Sequence, residues 1–316
     1  MLRTFMTEPA QSIAPRPTAL RTAVAFAIVY LVWGSTYLAI RFAIETIPPF
    51  LMAGTRFLVA GGLLYGWALA RGETVRPTRV QWAAATLLGG LFFLGGNGGV
   101  TWAEQMVPSG LASLIIATVP LWLVLLEWRR SHGVRPDLLT SIGVVVGFSG
   151  VALLLSARGG PVGTEIDPLG GVVLLGATWC WASGTIYSKH LPHPPSLLQS
   201  GGMQMLAGGA LLFAAGAIAG EFPRLGAAEF STRSLWALVY LTLAGSAMAF
   251  TAYAWLVQTT TPARVGTYAY VNPVVAVWLG VAFGGEAIGP RMLLAGAIII
   301  AGVALIITAR GRRHGI

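Results

Sequence analysis

The residues able to do chemistry in this 316-residue chain are few, and most lie inside long apolar runs. Trp33, Tyr37 and Arg41 recur every four residues and so stripe one helix face; Trp179, Ser183 and Tyr187 repeat that spacing. Aromatic faces with hydroxyls suit a partly apolar organic solute and favour cations. Pro120 and Pro273 each lack an N–H and release the carbonyl four residues earlier, Ile116 and Ala269. A carbonyl freed at mid-membrane depth takes its partner from a neighbouring helix, from water or from a solute. Asn97, Thr101 and Glu104 form a polar group late in one run, with Gln258 as the later counterpart of Glu104. Tyr253, Tyr268, Tyr270 and Asn272 add further hydrogen-bonding groups. Arg56 sits about seven residues into its run, where an arginine at full depth costs roughly 2.5–3.5 kcal/mol. A solute carboxylate is one partner for it; a helix-end carbonyl or the outer surface is the preferred one. Arg41 is expected to snorkel to headgroups, and Glu104, Glu127 and Glu286, at run ends, to be solvated. The expected solute pathway is thus Trp33, Ser35, Tyr37, Asn97, Thr101, Pro120, Trp181, Ser183, Tyr187, Tyr253, Tyr270, Asn272 and Pro273, with Arg56 and Glu104 as its charged groups.

Enzymatic constellations are weak by comparison. Gly147-Phe148-Ser149-Gly150 looks like an intramembrane serine protease motif, but such a serine needs a base within hydrogen-bond reach. His132, His190, His193 and His314 all fall in loops or at run ends, as do Asp137 and Asp167, the only aspartates. There is no His-Glu-x-x-His pair for zinc and no phosphate-binding Gly-rich loop ending in Lys-Ser/Thr. Cys180 is the only cysteine, which excludes an internal disulfide. We expect no catalytic residue, metal or cofactor, and therefore no enzyme. A channel is the other competitor, though pores are usually ringed by symmetric subunits.

The elements that position these residues follow from composition. Apolar residues make up 55% of the chain and charged ones 10%, far below the roughly 25% of soluble domains. Lipid is the implied solvent. About 20 apolar residues cross roughly 30 Å of hydrocarbon, and ten segments qualify: 22–45, 49–70, 81–103, 108–128, 138–156, 168–189, 197–219, 234–257, 262–284 and 290–309. The net charge of +9 lies scattered between these runs, which argues for loops on a bilayer and against a nucleic-acid partner. Arg3, Arg16, Arg21, Arg71, Arg76, Arg79, Arg129, Arg130, Arg135, Lys189, Arg264, Arg310, Arg312 and Arg313 fall on one side. Arg158, Arg224, Arg233 and Arg291 fall on the other, with Arg41 borderline. That bias puts both termini in the cytoplasm. Spacings such as Gly143/Gly147, Gly216/Gly220 and Gly280/Gly284 point to close packing within the bundle before any dimer interface.

The chain also repeats itself. Gly150-Val151-Ala152-Leu153 with Ala157-Arg158-Gly159 returns as Gly302-Val303-Ala304-Leu305 with Ala309-Arg310-Gly311. Trp33, Ser35 and Arg41 align with Trp181, Ser183 and Lys189; Pro108 and Pro136 align with Pro262 and Pro290. Five spans per repeat is an odd number, so the second copy must enter the membrane inverted. This is the architecture that supports alternating access in many carriers. The expected organisation is a tail (1–21), a first five-helix repeat (22–156), a periplasmic connector (157–167), a second repeat (168–309) and a basic tail (310–316).

Several segments resemble those of the EamA-type drug/metabolite transporters, closest to the YedA-like exporters. They are Trp33-Gly34-Ser35-Thr36-Tyr37, Ala53-Gly54-Thr55-Arg56-Phe57, Gly96-Asn97-Gly98, Ala117-Thr118-Val119-Pro120, the run from Tyr268 to Val277, and Gly285-Glu286. The resemblance spans roughly 22–310. It implies an all-α fold of ten transmembrane helices, as two inverted halves around a cavity lined mainly by spans 1, 3, 4, 6, 8 and 9. It also implies export of amino acids, metabolites or drug-like solutes across a bacterial-type inner membrane. Coupling to a proton or another ion stays open at this stage, as do the solute and the oligomeric state.

Overall fold

The computed structural model describes residues 18–130, 135–156, 167–226 and 229–313. Arg3, Arg16, His132, Arg158, Gly159-Gly160 and His314 lie outside the described residues. Among the described residues all regular structure is helical. Eight helices are long and apolar enough to cross a membrane. They are α1 (Ala19–Ala43), α3 (Arg79–Ala103), α4 (Ser109–Trp128), α5 (Leu138–Leu155), α6 (Pro168–Ser188), α7 (Leu197–Ile218), α8 (Thr232–Thr259) and α10 (Pro290–Arg313). Two more pack among them: α2 (Pro49–Ala70), which carries Arg56, and the shorter α9 (Tyr268–Gly284). Single-turn helices at Phe222–Leu225 and Pro262–Val265 sit in the connections.

Helix ends are written in the local sequence. Thr78 and Gln81 form a reciprocal capping box at α3, while Asp137, Asp167, Ser196 and Ser231 cap α5, α6, α7 and α8. Pro49 opens α2, where a missing N–H costs nothing. Gly72, Gly220 and Gly285 follow α2, α7 and α9 with φ of 67°, 69° and 64°, a left-handed turn that favours glycine. A glutamate follows each of the three: Glu73, Glu221 and Glu286.

Successive helices alternate between two ends of the bundle, a near end where α1 begins and a far end where it finishes. The most extensive pairings are α2 with α7 and α5 with α10. Glycines set both. A Cβ on Gly61 would lie 2.8 Å from Leu206 N and 2.9 Å from Gly202 O, and one on Gly302 would lie 2.6 Å from Gly147 N. Gly89 and Gly208 do the same for α3 on α7. Backbones approach this closely only where both side chains are absent, and the gain is dispersion contact that lipid cannot match. Gly143 and Gly147 thus pack on α10 inside the bundle, and Gly216 on Leu51, while Gly220 has open space beside it. The largest apolar core joins Ala43, Ala103, Ile115, Leu121, Leu174, Ile299 and Val303 from five helices.

This geometry separates two neighbouring glycines. Gly61→Val forces backbone apart at the α2–α7 crossing and is expected to cost about 1–3 kcal/mol. Gly62→Ala meets nothing within 4 Å and is expected to leave stability unchanged or slightly raised. Thermal unfolding of the two variants in detergent, followed by size-exclusion monodispersity, checks both.

Candidate functional site

The far end is held by one carboxylate. Glu286, three residues of chain from Phe283, turns back under the left-handed Gly285 and accepts from Ser109 N (2.7 Å), Ser109 Oγ (2.7 Å), Gly110 N (2.9 Å) and Arg41 Nη1. Its side chain is 3% exposed. The two amides open α4, where the positive end of the helix dipole favours an anion. Glu286 is therefore not solvated, which corrects the sequence reading, and Arg41, 36% exposed, is tied to it by an ion pair that the sequence did not suggest. The cause is the charge-assisted network itself, which compensates the carboxylate for lost water. Gly110 and Gly280 have no side chain because Glu286 occupies that space: a Cβ on Gly280 would lie 2.5 Å from its Oε2.

Glu104 is the second correction. It closes α3 at the same end and is 5% exposed, not solvated, and neither of its oxygens has a hydrogen-bond partner. The charges of Glu286, Arg41 and Arg56 reach it, and it faces Tyr37. Thr101, one turn below on the same face, is buried with its hydroxyl also unpartnered. Arg56 of α2 is buried to the same degree as Glu104 and does not reach the surface. It donates through Nε to Ser246 Oγ of α8 at 2.8 Å and lies 4.7 Å from the Phe57 ring centroid. Ser246 was not singled out in the sequence, because a serine next to a glycine on another span carries no spacing signal toward Arg56.

Toward mid-depth, α1, α8 and α9 meet through aromatic rings. Trp33 stacks 5.1 Å from Tyr253 and 5.4 Å from Tyr268, and its indole donates to Gly245 O at 3.1 Å. Tyr30 shares a hydrogen bond with Thr267 below them. Asn272 is buried beside Gly34 with its Oδ1 unpartnered, and Tyr270 packs against the main core. Ser35 turns away from this group to the Tyr240 hydroxyl, 2.6 Å off, on an exposed face.

The remaining expected residues scatter. Asn97 donates to Phe92 O of its own helix at 3.1 Å, satisfying a carbonyl in a wide-turned stretch, Gly90–Gly98. A matching wide stretch, Leu241–Met248, lies in α8, and a shorter one, Ile28–Val32, in α1. Such turns arise where a residue is accommodated by i→i+5 bonding and gather at functional sites. Trp181 packs edge-on against Phe92 at 5.2 Å, and Ser183 is buried beside it in α6. Tyr187 and Trp179 are exposed, so the second aromatic stripe faces mostly outward. The two prolines are unlike. Pro120 follows a break at Ala117–Thr118, where Thr118 Oγ1 donates to Ile115 O at 2.6 Å. Pro273 lies inside the unbroken α9. Ser149 donates to Val146 O of its own helix at 2.8 Å, which ties it to the backbone and leaves it no base.

At the near end, Glu127 of α4 pairs with Lys189 at 3.5 Å and with Arg310 at 2.9 Å. Its side chain is 34% exposed, so this carboxylate is solvated where Glu286 is dry, while the arginines Arg310 and Arg41 are exposed alike.

The EamA-like transporter family model matches residues 20–156 and 168–308. The chain is 40% identical over 279 residues, 88% of each protein, to the uncharacterized inner membrane transporter YedA of Escherichia coli K12. It is 28% identical to the uncharacterized transporter YvbV of Bacillus subtilis, covering 91% of this chain and 92% of that one. It is 25% identical to Protein PecM of Dickeya dadantii, covering 87% and 90%. A solved crystal structure superposes with a TM-score of 0.61 at 22% identity, over 92% of this chain and 98% of its own, and so shares the fold. The chain belongs to the EamA-like transporter family, as a membrane protein built from apolar helices.

Proposed function

We propose that the chain is a secondary carrier of ten membrane-spanning helices that moves a small amphipathic solute across an inner membrane by alternating access. Residues 22–156 and 168–309 form two inverted halves, joined by 157–167 on the periplasmic side, with both termini in the cytoplasm; the far end then faces out. Helix partnering supports the inversion. α2 pairs with α7, α4 with α9 and α5 with α10, each with its own counterpart. The contacts of α1 with α8 and α9 are mirrored by those of α6 with α3 and α4.

The observation that carries the reading is the unequal pair of seals. Arg41 and Lys189 hold matching positions in the two halves. Arg41 closes the far end on a buried Glu286, and Lys189 meets a half-exposed Glu127 at the near end. A carrier needs two seals that are tight in turn, since a path open at both ends leaks. Here the outer seal is the tight one. The solute's path runs beneath it, past Tyr37 and Asn272 to the Trp33, Tyr253 and Tyr268 rings. Export is the favoured direction by analogy with the family.

Two experiments test this. Glu286→Ala should destabilise the fold by about 3–5 kcal/mol, because it strands Arg41 and two helix-end amides, whereas Glu127→Ala should cost under about 1 kcal/mol. In a Cys180→Ser background, a cysteine at Tyr37 should react faster with an impermeant maleimide from outside once Glu286→Gln is added. Equal rates would remove Glu286 as a seal. In proteoliposomes, a panel of amino acids, nucleosides and cationic drugs should include a class whose uptake saturates. Trp33→Ala and Asn272→Ala should each lower that flux several-fold while inserting normally. Linear, very fast flux would make the protein a channel, and normal flux in both variants would move the path elsewhere.

A further inference from the structure

Resting on that carrier reading, we propose that Arg56 and Glu104 form one binding site for an amphipathic organic carboxylate, in which protonation of Glu104 frees Arg56 to hold the ligand's carboxylate. Two buried groups of opposite charge lie within electrostatic reach of each other, with bonding capacity unspent. Among the described residues, both oxygens of Glu104 and the hydroxyl of Thr101 lack hydrogen-bond partners. Arg56 is committed only through Nε, and its two amino nitrogens have no hydrogen-bond partner among the described residues. The other nearby cation, Arg41, is already matched by Glu286.

The charges then balance in one particular way. Arg41 and Glu286 cancel as a pair, so Glu104 is the group left to offset Arg56. An ionised carboxylate with no hydrogen bond in a dry interior costs several kcal/mol. Taking up a proton relieves that cost, and it leaves Arg56 as a buried cation without a counterion. An anion arriving from outside restores neutrality. The guanidinium fork presents two parallel donors to a carboxylate, a fit that no single ammonium offers. Phe57 lies under the guanidinium, with the Phe93 ring 4.5 Å beyond it, so the walls suit a ligand with an apolar body. The proton rests on a Glu104 oxygen and the ligand on the Arg56 nitrogens, and each charge entering is matched by the other. The cycle moves one carboxylate with one proton and no net charge. The titratable groups facing Glu104 are Tyr37 and Arg41 from α1, Arg56 from α2 and Glu286 from beyond α9.

The test measures binding to the purified full-length chain in detergent, with no flux required. The probe is phenylacetate, with phenylacetamide as its neutral twin, followed by thermal shift and by a pH-sensitive dye in weak buffer. The wild type should bind the acid and not the amide, more tightly at acid than at alkaline pH, and take up a proton as it binds. Arg56→Gln should weaken binding about ten- to hundredfold, with Arg56→Lys recovering part of it. Glu104→Gln, neutral at every pH, should bind at least as tightly as wild type with no proton uptake and no pH dependence. Equal binding of acid and amide, binding without proton uptake in the wild type, or unchanged binding in a folded Arg56→Gln overturns the proposal. So does absence of binding by the folded wild type at acid pH. Saturable flux of another solute, with no carboxylate bound, would remove this site and leave the carrier standing. Carboxylate binding with no flux of any solute would do the reverse.

Discussion

A carboxylate removed from water must be compensated by donors, and that constraint organises the far end of this bundle. Glu286 collects two backbone amides, a hydroxyl and a guanidinium from α1 and α4, although its own chain segment belongs to neither. Every element it touches has adapted to it. Gly285 takes the left-handed turn that aims it inward, Gly280 and Gly110 leave it room, and Ser109 starts α4 with both its donors turned to it. One other glutamate obeys the same rule: Glu221 follows Gly220, is buried, and accepts from Phe50 N at 3.2 Å and Leu51 N at 2.9 Å at the start of α2. Glu73, after Gly72, stays exposed; it pairs with Arg71 and takes only the Ser196 hydroxyl at the start of α7.

Much of the fold was legible in the sequence, and the physical reason is that lipid forbids most alternatives. Backbone groups in hydrocarbon must be bonded within their own segment, so a long apolar run is a helix almost by necessity. The glycines were legible as packing residues for a related cause: nothing else lets α2 and α7 or α5 and α10 approach backbone to backbone. The capping residues Thr78, Asp137, Asp167, Ser196 and Ser231 were equally local. The shortness of α9 was not, since Pro262–Val265 and Tyr268–Gly284 read as one run and part at Gly266–Thr267.

The site was less legible, because its chemistry depends on which helices meet. Arg41, Glu104 and Glu286 each sit at the end of a run, where a solvated charge is the ordinary outcome for a residue considered alone. Only the meeting of α1, α3, α4 and the segment after α9 buries Glu104 and Glu286 and brings Arg41 onto the latter. Trp33, Tyr253 and Tyr268 were individually visible, but their ring contacts depend on α8 lying beside α1. Asn97 shows the opposite failing. Its type suggested a solute ligand, whereas its amide donates to Phe92 O within its own helix.

Close packing is distributed unequally through this bundle. α2–α7 and α5–α10 are joined by backbone contacts between glycines, which slide only by losing contact along the whole crossing. α3 and α8 instead carry wide-turned stretches, and α4 is broken before Pro120, so each has a point where its two parts are coupled by fewer bonds of ordinary geometry. α3, α8 and α1 also supply Glu104, Ser246, Trp33 and Tyr253, while α2 contributes Arg56 and α9 contributes Tyr268. Glu286 is dry at the far end, while Glu127 is half-exposed at the near end. The glycine contacts that fix α2 on α7 and α5 on α10 are therefore different interactions from the ion pairs that close the two ends, although α2 carries Arg56 as well.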